Sequence, residues 1–262
     1  MHPIAFEIGG FAVHWYGILV AAGFITGLWT AAQRARKVGI PAETVFDLGT
    51  WILLGTIVGA RLLYVVSYWE QDFAGKPLIQ LFNIREGGLV FYGGLMGAAV
   101  AVTVHALRKQ IPLWPLADVL APGVALGHAF GRVGCLMTGC CYGHPTGVAW
   151  AIHFPKDHWT HGIGVHPTQI YESALNLTFS IFLAMRFKSR TFDGQIFGFY
   201  LIGYASLRSF VELFRGDYAN RSSVAVLTPG QMVSVGILVA GIVILVWLRK
   251  KPLRKTGQQP VS

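Results

Sequence analysis

Residues 8–33 read IGGFAVHWYGILVAAGFITGLWTAAQ, a run without a Lys, Arg, Asp or Glu. About 20 apolar residues cross the hydrocarbon of a bilayer, so this stretch is long enough to span one. Two more charge-free runs extend from Gly87 to Leu107 and from Ser222 to Leu248. Four further apolar stretches, each with one or two charged residues, cover Thr44 to Val66, Leu113 to Gly134, Thr168 to Met185 and Gln195 to Phe214. The composition agrees, with 53% hydrophobic and only 13% charged residues, where a soluble domain carries about 25% charged. The expected fold is an all-α, polytopic membrane protein of about seven transmembrane helices.

Lysine and arginine collect on the cytoplasmic side of a membrane. With the N-terminus outside and the C-terminus cytoplasmic, the inner segments hold Arg34, Arg36, Lys37, Arg108, Lys109, Arg186, Lys188, Arg190, Arg249, Lys250, Lys251, Arg254 and Lys255, thirteen of the 21 basic residues. The outer loops hold Lys76, Arg85, Lys156, Arg215 and Arg221. This asymmetry accounts for most of the +9 net charge without invoking nucleic acid. The basic tail, 249–262, reads as a topology signal that meets anionic headgroups of membrane lipids. The first run is too long for a cleavable signal and lacks a basic leader, so it is expected to stay. Without a linker or repeat, residues 1–262 read as one membrane-embedded domain, with its longest outer loop from about Cys135 to Pro167.

Three basic residues remain, Arg61, Arg132 and Arg208, each within or at the end of an apolar span. An arginine at mid-bilayer costs about 3 kcal/mol even on a lenient scale, so such residues face a cavity or a partner. One reading is a structural ion pair with Glu172, Glu212 or Asp118; the other is a headgroup site, which three arginines together favour. In GYASLRSFVELFR, Tyr204, Arg208, Glu212 and Arg215 recur at helical spacing and share one face. A guanidinium fork matches the oxygen pair of a phosphodiester, and a carboxylate between two arginines fixes their rotamers. In REGGLVFYGGLMG, residues 85–97, glycines permit close approach of helices or a lipid tail, and Tyr92 either reaches a cavity or sits in an interfacial belt. HPTQIYE, residues 166–172, makes a polar turn ahead of a span, with Thr168 as a cap.

In order along the chain, HWYG (14–17), GAR (59–61), FYGG (91–94), ADVLAP (117–122), GRVG (131–134), HPTQIYE (166–172) and LRSFVELFR (207–215) resemble the prolipoprotein diacylglyceryl transferase family. The resemblance implies a bacterial inner-membrane enzyme with its active site towards the outer side. It would move the diacylglyceryl group of phosphatidylglycerol to the lipobox cysteine of a prolipoprotein signal peptide, releasing glycerol phosphate, with no cofactor. Arg132 and Arg208 match the family's essential arginines. Tyr16, Tyr204 and Glu212 fall on positions that line or support the site, Asp118 matches a polar position ahead of the signature, and Arg61 and Arg215 join the lipid-binding set. Tyr92 stands where the best-known members carry a histidine proposed as base.

The family signature resembles GRxGNFxNxExxG, whereas this chain has Cys135, Thr138 and Cys140 at its two asparagines and its glutamate. Three readings of the thiols stay open: packing in a polar cavity, a nucleophilic or redox role for Cys135 or Cys140 promoted by Arg132, and metal binding. Metal binding is disfavoured because Cys140 and Cys141 are adjacent and lack the CxxC spacing, so no metal is expected. A divergent relative with another acceptor, a non-enzymatic anionic-lipid transporter and a thiol oxidoreductase are the alternative functions.

Overall fold

The computed structural model describes residues 3–83, 87–216, 229–250 and 253. The described chain is mostly helical, with α1 (Trp15–Ala35), α2 (Ala42–Ser67), α3 (Phe91–Arg108), α4 (Leu113–Thr138), α5 (Thr168–Phe187), α6 (Gln195–Glu212) and α7 (Pro229–Leu248). Four of them are long and apolar enough to cross a membrane: α1 with its extension to Val38, α2, α4 and α7. The shortest, α3 and α6, have 18 residues each, which at 1.5 Å per residue is about 27 Å.

Three boundaries differ from the expected spans. The run that opens at Ile8 is not helical until Trp15; strands β1 (Ile4–Ile8) and β2 (Phe11–His14) form an antiparallel hairpin instead. Gly9 and Gly10, at φ 55° and 84°, make the two-residue turn that a hairpin needs and a helix forbids. Helix α3 starts at Phe91 rather than Gly87. Helix α4 continues past Gly134 to Thr138, so Cys135 belongs to the helix and the loop begins at Gly139. Arg85, Arg221, the first residues of the Ser222–Leu248 run, and Lys251, Arg254 and Lys255 of the tail lie outside the described residues.

The chain forms two compact units, Ala32–Leu116 on the one hand and Met1–Ala31 with Ala117–Ser262 on the other. Within the first, α2 and α3 meet through glycines: a Cβ at Gly55 would lie 2.6 Å from the Gly97 carbonyl oxygen, so only glycine allows this approach. Arg61 of α2 donates from Nε to Leu81 O (2.8 Å), from Nη2 to Gln80 O (2.8 Å) and from Nη1 to Gly87 and Gly88 O (3.1 Å each). Its guanidinium also lies over the rings of Tyr64 and Phe73. It fastens the α2–α3 connection through these backbone carbonyls.

In the second unit, α1 and α4 pack through Gly27 and Gly123, where a Cβ at Gly27 would meet Gly123 O at 2.9 Å. Hydroxyls tie α5 to α4, with Ser180 Oγ donating to Pro122 O (2.7 Å) and Ser173 Oγ to Ala129 O (3.0 Å). Asp118 of α4 is fully buried and accepts the backbone N–H groups of Gly194 (2.8 Å) and Phe197 (2.9 Å), with Arg190 Nε 3.8 Å away. It therefore caps the N-terminus of α6 from another helix, a task that the α6 sequence leaves open because Gly194 has no side chain to do it. Asp118→Ala strands two buried donors and should cost about 2 kcal/mol or more. Thermal unfolding in detergent checks this; an unchanged midpoint would remove Asp118 from this role.

Candidate active site

The signature GRVG lies in the penultimate turn of α4 and presents Arg132 to Glu172, which projects from the first turns of α5. Arg132 Nη2 lies 3.0 Å from Glu172 Oε1, and Arg208 Nη1 of α6 lies 3.7 Å from Glu172 Oε2. One carboxylate, whose side chain is 3% exposed, thus stands between two guanidiniums that are themselves 14% exposed. Glu212, one turn after Arg208, places Oε2 3.0 Å from Arg208 Nη2, as the spacing of four predicts. His128, one turn before Arg132, brings Nε2 to 3.6 Å from Glu172 Oε1, and its ring lies 5.5 Å from that of Tyr204. Glu172 and Glu212 are both buried.

Arg215 falls past the end of α6 rather than on its stripe. Its backbone pairs with Gly143 across an antiparallel bridge, while His144 N donates to Phe214 O (2.9 Å) and Gly216 N to Tyr142 O (3.2 Å). These bonds hold Arg215 in the buried interior, where its charge acts on both Arg132 and Cys141. Three guanidiniums thus gather around two carboxylates.

The thiols follow from how α4 ends. Gly139, at φ 78°, reverses the chain in a left-handed cap: Cys140 N donates to Cys135 O (3.1 Å) and Gly139 N to Leu136 O (3.2 Å). This is the Schellman pattern of a helix C-terminus. The reversal lays Cys140 over Cys135, and Cys141, at φ 62°, turns its thiol to the same side. The three sulfurs lie within 4.8 Å of one another, and Arg132 Nη1 donates to Cys141 Sγ at 3.4 Å. Hydrogen bonds within the thiol cluster, first from Cys135 and then from Cys140, with the Arg215 and Arg132 charges adding, hold the Cys141 thiol well below the ordinary thiol range.

HPTQIYE starts α5, but the cap position falls on Pro167 rather than on the expected Thr168, whose hydroxyl is used elsewhere. Thr168 Oγ1 donates to Cys141 O and Gln169 Nε2 to Cys140 O, both at 2.6 Å, so the segment clamps the cysteine turn and delivers Glu172 one turn later. Tyr16 of α1, half-exposed, packs its ring against Gly134, where a Cβ would lie 3.0 Å from Tyr16 Cδ2. Of the residues singled out from sequence, Arg132, Arg208, Glu212, Tyr204, Arg215, Tyr16, Cys135, Cys140 and Cys141 belong to this unit. Arg61 and Tyr92 belong to the other; Tyr92 is half-exposed at the start of α3, its ring against Phe91.

The model of the prolipoprotein diacylglyceryl transferase family matches residues 3–247. The chain belongs to that family. Phosphatidylglycerol–prolipoprotein diacylglyceryl transferases of Finegoldia magna, Synechococcus elongatus and Bacillus cereus are 36%, 33% and 35% identical to it. These alignments cover 97%, 94% and 94% of this chain and 98%, 87% and 92% of the relatives.

The residues alone offer Glu172 as an ion-pair partner and do not single out His128. The helical offset between His128 and Arg132 was a usable signal, since both face one side of α4. Replacing Glu172 by Ala leaves two buried guanidiniums short of their shared counter-charge and should destabilise the protein by about 3–5 kcal/mol, whereas Glu172→Gln keeps the shape and costs less. Comparing the two unfolding midpoints in detergent tests this. Equal midpoints for Glu172→Ala and the unaltered chain would contradict it.

Proposed function

We propose that this chain transfers the diacylglyceryl group of phosphatidylglycerol to the lipobox cysteine thiol of a prolipoprotein, as the names of its relatives describe for those proteins. The observation that carries the reading is the placement of Arg132 and Arg208 on the two oxygens of buried Glu172, in a cluster of three guanidiniums and two carboxylates.

The products fix what the site has to do. A diacylglyceryl thioether and glycerol phosphate arise when the carbon–sulfur bond forms as the bond between the glyceryl carbon and the phosphate oxygen breaks. The leaving phosphate then gains a second negative charge. Arg132 and Arg208 hold its oxygens and stabilise that growing charge, which fixed donors do best when already oriented. Glu172 and Glu212 supply the orientation, and Arg215 adds to the positive field. Tyr204 and Tyr16 line the site. Tyr92 is the proposed acceptor for the thiol proton. Arg61 is proposed as a lipid-binding residue; its guanidinium donates to four carbonyls of the α2–α3 connection.

The proposed setting is a single domain of seven spans in the bacterial inner membrane, with the N-terminus outside. Arg34, Arg108 and Arg186 stand in the last turns of α1, α3 and α5, which supports a cytoplasmic position for those ends. The charged cluster joins the end of α4, the start of α5 and the end of α6, on the outer side in that topology. Arg132→Gln and Arg208→Gln should each lower transfer by at least about a hundredfold, the scale of losing one oriented donor to a developing anion. The assay is thioether formation from labelled phosphatidylglycerol and a lipobox peptide, followed by mass spectrometry. Retained turnover in both folded variants would sink the assignment.

A further inference from the structure

The transfer as proposed assigns no step to Cys135, Cys140 and Cys141, yet the chain gathers all three at one point. We propose that they form a binding site for a soft, thiophilic metal ion of the copper(I) and zinc(II) class, held by three thiolates beside Arg132.

The geometry comes from backbone features that the spacing of the cysteines does not reveal. Adjacent cysteines normally diverge, but the Gly139 reversal stacks Cys140 on Cys135, and the left-handed Cys141 brings in the third sulfur. Metal–sulfur bonds of about 2.3 Å place three thiolates about 3.8–4.0 Å apart. The sulfurs here lie within 4.8 Å of one another, so binding needs a contraction of about 1 Å or less. Gln169 and Thr168 already hold the carbonyls of Cys140 and Cys141, so little ordering remains at the moment of binding.

The donor set and the charge select the ion. Three thiolates and no carboxylate favour soft ions over magnesium or calcium. Binding releases the thiol protons and leaves one or two net negative charges on the complex, according to whether the ion is divalent or monovalent. Arg132, on the Cys141 sulfur, and Arg215, whose charge reaches the same thiol, offset them. His158, the histidine tied to this turn, is committed through Nε2 to Gly139 O (2.8 Å) and through Nδ1 to Thr160 (3.0 Å). The site is therefore a three-sulfur one, with any fourth position left to solvent.

Cadmium(II) serves as the probe because its thiolate complexes absorb in the ultraviolet. Titrating the full reduced chain in detergent should raise a thiolate-to-cadmium band that saturates at one ion per chain and protects the thiols from maleimide. Cys135→Ser, Cys140→Ser and Cys141→Ser should each weaken cadmium binding at least tenfold, and copper(I), delivered from a chromophoric chelator, should displace the cadmium. No band, saturation at half an ion per chain, or undiminished affinity in any folded serine variant would overturn the proposal. If a serine variant fails to fold, the titration of the unaltered chain still decides between a saturating band and none. None of these readouts depends on phosphatidylglycerol transfer, so failure of the metal site and failure of the proposed function are told apart.

Discussion

A buried carboxylate between two arginines is the constraint on which the second unit is arranged. Glu172 pairs with Arg132 of α4 and Arg208 of α6 from α5, so three helices meet at one group. Taking such charges out of water costs several kcal/mol per ion, and mutual attraction returns this only when the geometry is good. The surrounding structure keeps it good. Ser173 and Ser180 fix α5 against α4, Asp118 caps α6 from α4, and the strand-like pairing of Tyr142–His144 with Phe214–Gly216 fixes the end of α6. The proposed role of Arg132 and Arg208 in holding a phosphate accounts for an arrangement this costly in a largely apolar protein.

The same segment that supplies Glu172 also organises the turn beyond α4. Thr168 and Gln169 bind the carbonyls of Cys140 and Cys141, and Arg132 donates to the Cys141 sulfur. The charged cluster and the thiol cluster thus share one scaffold. Where the family signature carries amides and a carboxylate, this chain places sulfur and a hydroxyl, and Thr138 Oγ1 lies 3.3 Å from Cys140 Sγ.

Much of this was legible in the residues themselves. The helices of the described residues follow from apolar runs, and the pairing of Arg208 with Glu212 follows from a spacing of four. What escaped is what depends on chain reversal or on distant segments. The Gly9–Gly10 hairpin hid inside a run apolar enough to read as helix throughout, because hydropathy alone does not distinguish strand from helix. The convergence of Cys135 with Cys140 and Cys141 needs the left-handed turn at Gly139 and Cys141. Asp118 capping a helix 76 residues later, and Arg61 spending its donors on carbonyls, are long-range partnerships that no local pattern displays. The unusual residues were found from composition; their partners were not.

The most direct measurement is the position of the lipid phosphate in an experimental structure of the chain bound to phosphatidylglycerol in a nanodisc. The account predicts phosphate oxygens within hydrogen-bonding distance, about 3 Å, of both the Arg132 and Arg208 guanidiniums, with Glu172 still between the two. A phosphate seated away from either arginine, or one that displaces Glu172 from both, would contradict it.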